Sequence, residues 1–254
     1  MPLELTVVDA FTDVPYRGNP AAIAIVDAFP ELSEMHAIAT EMNLSETAFV
    51  VPRTDGDHDL RWFTPTVEVS LCGHATLAAA HLLGGNARFH TRSGVLTCRD
   101  AGDGWTAMEF PAIPIGAAPA RRDLPFDGVT WFGEHDGAAL VEVGNAVTVR
   151  DYTPDATALA AIASHIVILT ARGDRLGIDC VSRVFGPNVG ILEDPVTGSA
   201  HCSLACHWGD QLGRADLVGE QASRRGGTVR MRRDGDRVHL AGQAVTVSRV
   251  KLLV

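Results

Sequence analysis

Two stretches of the chain place a glycine where an apolar helix would begin, and the start of a helix can bind an anion. In residues 193–209, a carboxylate and a proline turn lead into Gly198 and Ser199, and small apolar residues follow. Residues 71–84 have the same layout, with Gly73 at the start. The first backbone N–H groups of a helix lack partners within the helix and carry partial positive charge. The sequence therefore predicts two small anion-binding positions.

The similarity between these stretches extends to the residues around them, which predicts that the chain is a duplication. Each half would hold one helix inside its own sheet, and a small-molecule site would lie in a cleft between the two helix starts. The shared landmarks are Phe-X-Pro at 63–65 and 185–187, Gly-Asn at 18–19 and 144–145, and a helix-ending glycine at Gly84 and Gly209.

The amino-acid composition excludes several classes of protein and partner. The 254 residues are 46% hydrophobic and 20% charged, so the chain can build sizeable cores. A net charge of −10 argues against nucleic acid or an anionic membrane as the main partner. The sequence contains no run of 18 apolar residues, so it predicts no membrane span. The start of the chain lacks the features of a signal peptide, and five cysteines do not suggest a disulfide framework, so we expect a cytoplasmic protein with reduced thiols.

The elements that must position the two helix starts are mostly strands. Strand-like segments follow one another without a crossover helix between each pair, which favours an α+β fold with a mixed, mostly antiparallel sheet. In the second half, apolar alternation predicts strands at 139–143 and 146–149. Residues 1–114 are expected to form one lobe, completed by a C-terminal strand at 243–254, and residues 128–242 are expected to form the other.

Six motifs together resemble the phenazine-biosynthesis-like PhzF family, and the likeness covers nearly the whole chain in order. It implies the diaminopimelate-epimerase-like fold, in which two pseudo-symmetric domains each roll a sheet around a central helix and the active site lies between them. Members are typically homodimers that work without a metal or an organic cofactor, and the best-understood member moves a proton on the carbon framework of a dihydro-hydroxyanthranilate. The motifs lie at residues 9–12, 18–20, 42–47, 63–65, 73–76 and 193–200.

The resemblance assigns catalytic roles to three residues. Glu46 matches the family's catalytic glutamate, which removes and returns the proton. His74 matches an active-site histidine that hydrogen-bonds the substrate, and Asp194 matches the active-site aspartate. Without the resemblance, Glu46 would be interpreted as a solvated turn residue and Asp194 as a turn-forming residue before a proline.

The residues at the helix starts are expected to bind substrate. The backbone amides of Gly73, Gly198 and Ser199 are candidates for a substrate carboxylate. Epimerases and racemases of this fold carry a catalytic cysteine before the glycine in each half, whereas here Cys72 occupies that position in the first half and Thr197 in the second. A two-thiol racemase is therefore disfavoured. Catalysis by the Cys72 thiol stays an alternative to its interpretation as a small buried residue.

Two other clusters are given structural interpretations. The four thiol and imidazole side chains at 201–207 have spacings that metal ligands could use, but the helix around them is apolar on most sides. We therefore predict no metal. The arginines between 224 and 237 are interpreted as a solvated face.

Together these observations predict a cofactor-independent isomerase that acts on a small carboxylated metabolite by general acid–base catalysis, as a homodimer. One alternative is a lyase or epimerase that uses Cys72. The other is a non-catalytic dimeric protein that binds a small acid.

Overall fold

In the computed structural model, residues 3–119, 121 and 123–253 are described. The chain divides into two compact units, one comprising Met1–Glu109 with Ala241–Val254 and the other Phe110–Leu240. Both units mix a sheet with a few helices, so the α+β class expected from the sequence is confirmed. Among the described residues, no helix has both the length and the apolar character needed to cross a lipid bilayer.

The first unit surrounds helix α2 with short strands. Strands β2 and β3 pair in parallel, as do β4 and β6, and the other pairings within the unit are antiparallel, including β1 with the C-terminal part of β17. Its elements are β1 (Leu3–Ala10), β2 (Asn19–Ile25), α1 (Leu32–Met42), β3 (Glu46–Pro52), β4 (His58–Phe63), β5 (Glu68–Val69), α2 (Gly73–Leu82), β6 (Ala87–Thr91), β7 (Gly94–Asp100) and β8 (Trp105–Pro111).

The second unit has the same order of elements around helix α5. Strands β11 and β12 pair in parallel, as do β13 and β15, whereas β10–β11, β12–β13, β13–β14 and β15–β16 are antiparallel. Its elements are β9 (Gly116–Ala117), β10 (Val129–His135), β11 (Ala138–Val143), α3 (Ala146–Asp151), α4 (Ala156–Ala160), β12 (Ile166–Arg172), β13 (Cys180–Gly186), a 3₁₀ turn (Pro187–Val189), β14 (Ile191–Asp194), α5 (Gly198–Leu212), β15 (Asp216–Gln221), β16 (Gly227–Asp234) and β17 (Arg237–Leu252).

Helices α2 and α5 are apolar around most of their circumference because strands surround them. In α2, seven consecutive residues from His74 to Ala80 are buried, and the helix packs on β1, β2 and β3. In α5, nearly every residue from Gly198 to Trp208 is buried, and the helix packs on β13, β15 and β16. A helix that is apolar on all sides belongs inside a protein. The sheet of each unit therefore fixes the position of a helix start.

Two of the landmarks used to align the halves are wrong. Gly18 directly precedes β2, whereas Gly144 follows β11, so the Gly-Asn pairs are not equivalent. Gly209 lies inside α5, which ends at Leu212, and the C-cap residue Gly213 has a left-handed φ of +63°. A Cβ atom on Gly209 would lie 3.2 Å from the carbonyl oxygen of Arg214, so this glycine permits a close approach of the backbone rather than ending the helix.

The strand expected at 146–149 is also wrong, because these residues belong to α3. The Asn145 side chain accepts a hydrogen bond from the backbone N–H of Thr148 at 2.9 Å and caps the helix. Such a cap satisfies a backbone donor that has no partner within the helix. This local interaction outweighs the β propensity of Val147 and Val149.

We predict that Gly18→Ala destabilises the protein strongly. Gly18 has a φ of +65°, and a Cβ atom there would lie 2.1 Å from the carbonyl oxygen of Ala10. We expect the free energy of unfolding in urea to fall by about 2–4 kcal/mol. Gly56→Ala is the matched control, because Gly56 also has a positive φ but its Cβ would meet no atom within 4 Å. It should cost about 1 kcal/mol. Equal losses in the two variants would contradict the steric explanation.

Candidate active site

Glu46 and His74 meet inside the first unit. Glu46 is the first residue of β3, paired with Ala21 of the parallel strand β2, and His74 is the second residue of α2. The Nε2 atom of His74 lies 3.0 Å from Oε2 of Glu46, and the two side chains are only 7% and 15% exposed. Neither atom has a well-aligned hydrogen bond to any described residue. The contact is therefore close and electrostatic, and both atoms retain hydrogen-bonding capacity.

The thiol of Cys72 contacts the other nitrogen of the same ring. Cys72 is the N-cap residue of α2, is 7% exposed, and places its Sγ atom 3.5 Å from Nδ1 of His74. The His74 imidazole thus contacts the Cys72 thiol through one ring nitrogen and the Glu46 carboxylate through the other. This order of groups is the one that nucleophilic enzymes use to move a proton from a thiol to a base.

The charges of these groups are coupled. Burial by itself lowers the pKa of His74, but Cys72 and the Glu46 carboxylate raise it, and the result is a pKa well above the ordinary value of 6.5. Burial and the same carboxylate raise the pKa of the Cys72 thiol. His74 in turn lowers the pKa of the thiol, so the protonation of His74 and that of Cys72 are linked. The site therefore favours a protonated His74, ion-paired with the Glu46 carboxylate and in contact with the Cys72 sulfur.

The same three side chains are of types that can hold a metal, with ligand atoms within 4.8 Å of one another. Their arrangement fits a metal poorly, because the two ring nitrogens of His74 face different partners. An ion bound at one nitrogen would lie on the opposite side of the ring from the other ligand. Asp55, Asp57 and His90 form a second such group at the surface. Arg53 pairs with Asp55 and with the neighbouring Asp59, and Arg88 pairs with Asp57. In the cluster at 201–207, the Nε2 atom of His207 lies 2.8 Å from Oε2 of Glu142.

In each central helix, a side chain four residues after the N-cap residue contacts the carbonyl oxygen of that residue. In α2, the hydroxyl of Thr76 donates to the carbonyl oxygen of Cys72 at 2.5 Å. In α5, the Nδ1 atom of His201 lies 2.8 Å from the carbonyl oxygen of Thr197, so Nδ1 carries the proton. Burial lowers the pKa of His201 to about 4, which keeps the ring neutral. His201 therefore positions the first turn of α5.

Asp194 and Thr197 meet in the second unit, where a buried glutamine holds them. The Thr197 hydroxyl donates to Oδ2 of Asp194 at 2.5 Å. Gln221 is fully buried at the end of β15, where its Oε1 accepts from the Thr197 backbone N–H at 2.9 Å and its Nε2 donates to the Asp194 carbonyl oxygen at 2.8 Å. Nothing in the sequence around Gln221 identifies it. The neighbouring Glu193 is paired with Arg183 at 2.7 Å.

The remaining predicted binding residues lie at the two helix starts. Gly73 is the first residue of α2, and Gly198 is the first residue of α5. Gly198 is buried, whereas Ser199 is exposed on the first turn of α5. The first unit thus brings Glu46, His74, Cys72 and Gly73 together, and the second brings Asp194, Thr197, Gly198 and Ser199 together.

We predict that His74 stays protonated above pH 6.5, and that Glu46→Gln lowers its pKa. His81, on the same helix, is the internal control, because burial lowers its pKa. The raised pKa adds stability that is fully present below pH 6.5 and is lost as the pH rises from 6.5 through the pKa of His74. NMR titration of ¹⁵N-labelled histidines measures both rings. A pKa of His74 below that of His81, or one unchanged by Glu46→Gln, would contradict the ion pair.

Comparison with known proteins places the chain in a family. The model of the Phenazine biosynthesis-like protein family, PhzC-PhzF, matches residues 8–250. An uncharacterized isomerase of Pseudomonas aeruginosa is 46% identical over 95% of this chain and 96% of its own length. An uncharacterized isomerase of Halalkalibacterium halodurans is 39% identical over the full length of both chains.

Solved structures agree with this placement. A phenazine biosynthesis protein of the PhzF family from Enterococcus faecalis superposes with a TM-score of 0.94 at 34% identity, covering all of both chains. A hydroxyproline epimerase from Agrobacterium vitis shares the fold at 10% identity, with a TM-score of 0.64 over 99% of this chain and 92% of the other. The chain therefore belongs to the PhzC-PhzF family of phenazine biosynthesis-like proteins, and it is an isomerase.

Proposed function

We propose that this isomerase moves a proton at a carbon atom of a small carboxylated metabolite, and that Glu46 removes and returns the proton. The observation that carries this proposal is the buried Oε2 atom of Glu46, which lacks an aligned hydrogen bond to any described residue and lies 3.0 Å from the imidazole of His74. A general base must reach its proton without first breaking other bonds. A buried carboxylate oxygen with free acceptor capacity meets that requirement.

His74 complements this role through its charge. Removing a proton from carbon next to a carboxyl group leaves negative charge that must be stabilised. The pKa of His74 is raised by Cys72 and by Glu46 against the effect of burial, so the ring is available as a cationic donor. We propose that His74 hydrogen-bonds the substrate oxygen on which this charge develops. The chemistry needs no metal or organic cofactor, because acid, base and anion stabilisation all come from side chains.

The second unit is proposed to bind the polar groups of the substrate. Asp194 and Thr197 are held rigidly by Gln221, and Gly198 and Ser199 begin α5. Rigid donors lose little entropy when a ligand binds. We also propose that each unit is a pseudo-symmetric half in which a sheet rolls around α2 or α5, since the strand pairings of the two units match, and that the enzyme acts as a homodimer in the cytoplasm.

We predict that Glu46→Gln abolishes most proton exchange. The full-length enzyme is incubated in D₂O with a panel of small carboxylic acids that carry a C–H bond next to the carboxyl group or a double bond, and deuterium at carbon is measured by NMR. The variant should exchange about 10²–10⁴-fold more slowly than the natural enzyme. Glu41→Gln, which changes an exposed glutamate of α1, should have no effect. Exchange at the natural rate in Glu46→Gln would remove Glu46 from the mechanism.

A second candidate function, a lyase or epimerase that uses Cys72, is favoured by the 3.5 Å contact between Sγ and Nδ1 of His74. The raised pKa of the thiol, caused by burial and by Glu46, opposes it, because the thiolate is the reactive form.

We therefore predict that Cys72→Ala retains most of the deuterium exchange. A thiol mechanism would instead lose about 10²-fold or more in the same assay. Cys98→Ala is the matched control, since Cys98 is also buried in the first unit but lies in β7. Loss of exchange in Cys72→Ala with retention in Cys98→Ala would establish the thiol alternative.

A further inference from the structure

The side chains of Gln221 and Thr197 form a chain of hydrogen bonds that ends on the Asp194 carboxylate. Gln221 is fully buried at the end of β15, where it pairs in parallel with Ser182 of β13. Its Nε2 atom lies 3.2 Å from Oγ1 of Thr197, and that oxygen lies 2.5 Å from Oδ2 of Asp194. The chain therefore runs from an amide through a hydroxyl to a carboxylate.

Two backbone groups set the orientation of the Gln221 amide. The Thr197 N–H can only donate, so the atom 2.9 Å from it is the amide oxygen. The Asp194 carbonyl oxygen can only accept, so the atom 2.8 Å from it is the amide nitrogen. The opposite orientation would place two donors together and two acceptors together. Gln221 therefore presents an N–H group to the Thr197 hydroxyl.

The amide orientation decides where the Thr197 hydroxyl proton lies. A hydroxyl has one proton to donate, and here the amide N–H occupies one of its acceptor positions. An ionised carboxylate can only accept, so the Thr197 proton lies between Oγ1 and Oδ2 of Asp194. Hydrogen bonds to a charged oxygen are stronger than those between neutral groups. Thr197 therefore receives from Gln221 and holds the Asp194 carboxylate in one orientation.

The backbone polar atoms of Thr197 are bonded as well. Its N–H donates to Oε1 of Gln221, and its carbonyl oxygen accepts from Nδ1 of the buried His201 at 2.8 Å. The hydroxyl proton is already donated to Asp194. Thr197 could donate to a substrate only if the bond to Asp194 were broken first. The surroundings of Thr197 thus favour a role in holding Asp194 over a role in contacting substrate.

We propose that Thr197 and Gln221 are positioning residues that orient the Asp194 carboxylate for the reaction, and that the Thr197 hydroxyl does not contact the substrate. A group fixed in its productive orientation loses little entropy when a ligand binds. The position before the helix-starting glycine then has different tasks in the two units, because Cys72 contacts the His74 ring whereas Thr197 holds a carboxylate. The proposal deepens the proposed function, on which it rests for the role of Asp194.

The test uses the deuterium-exchange assay on the full-length protein. Thr197→Val, which removes the hydroxyl, should slow exchange about tenfold or more, because a hydrogen bond to a charged group is lost. Thr197→Ser, which restores a hydroxyl, should recover most of that loss. In an Asp194→Ala background, Thr197→Val should cause no further loss, because Thr197 acts through Asp194. Thr130→Val is the matched control and should exchange normally, since the exposed Thr130 contacts the Glu142 carboxylate of the same unit.

Gln221→Glu gives a readout that a purely structural role would not produce. A protonated glutamate has the shape and the donor of glutamine, whereas an ionised one cannot donate to Thr197 or to the Asp194 carbonyl oxygen. The exchange rate of this variant, divided by that of the natural enzyme, should therefore rise about tenfold or more as the pH falls from about 8 to about 5. Circular dichroism at each pH confirms that the rates belong to folded protein.

A measurement on the natural protein keeps the test independent of variant folding. By NMR, the Nε2 protons of Gln221 should exchange with D₂O at least about tenfold more slowly than those of the exposed Gln211, because Gln221 is fully buried and bonded. Rapid exchange of these protons would overturn the proposal. So would a natural rate in Thr197→Val, a further loss in the Asp194→Ala background, or a rate ratio that does not change with pH.

The proposed reaction and the positioning role fail in different ways. Deuterium exchange that persists in Glu46→Gln but is lost in Thr197→Val would refute the proposed reaction and leave the positioning role intact. Exchange that is lost in Glu46→Gln but normal in Thr197→Val would do the opposite. If no acid of the panel exchanges, the proposed function fails, and the Gln221 protons still test the hydrogen-bond chain.

Discussion

The contact between Glu46 and His74 is the interaction on which the proposed chemistry depends. Its atoms are 3.0 Å apart and largely excluded from water, so their attraction is much stronger than it would be at the surface. The contact exists because β3 begins at Glu46 beside β2, and because α2 is held inside its sheet with His74 in the first turn. Breaking a buried pair by removing one partner leaves an uncompensated charge. Stability and reactivity are therefore coupled at this point.

The two units share one architecture and differ in the side chains at equivalent places. The order of strands and the places of the two parallel pairings agree between them, and each central helix has a side chain bonded to its N-cap carbonyl oxygen, Thr76 in α2 and His201 in α5. The residues at equivalent places differ in chemistry. Where the first unit has Glu46 and His74, the second has Ile166 and Ser199. This asymmetry is consistent with one unit that transfers protons and another that binds polar groups.

The strand-like segments were enough to predict the α+β class, six motifs along the chain the family, and the two glycine-led apolar runs the central helices, because these signals act locally. The contact of Cys72 with His74 is also local, being only two positions apart. Gln221 could not be predicted, since it meets Asp194 and Thr197 only through the pairing of β13 with β15. The helix at Ala146–Asp151 was missed because a single Asn145 cap outweighs β-branched residues. Tertiary pairing and local caps thus set the limits of prediction from sequence.

The central claim, that Glu46 exchanges a proton with a substrate carbon, is tested most directly by a crystal structure of the enzyme with a bound carboxylic acid. The acid should be one that undergoes deuterium exchange, soaked into Glu46→Gln crystals so that it does not react. The account predicts that the exchanging carbon lies within about 3.5 Å of the residue 46 side chain, with an oxygen of the acid on His74. An acid bound with its exchanging carbon far from residue 46 would contradict it.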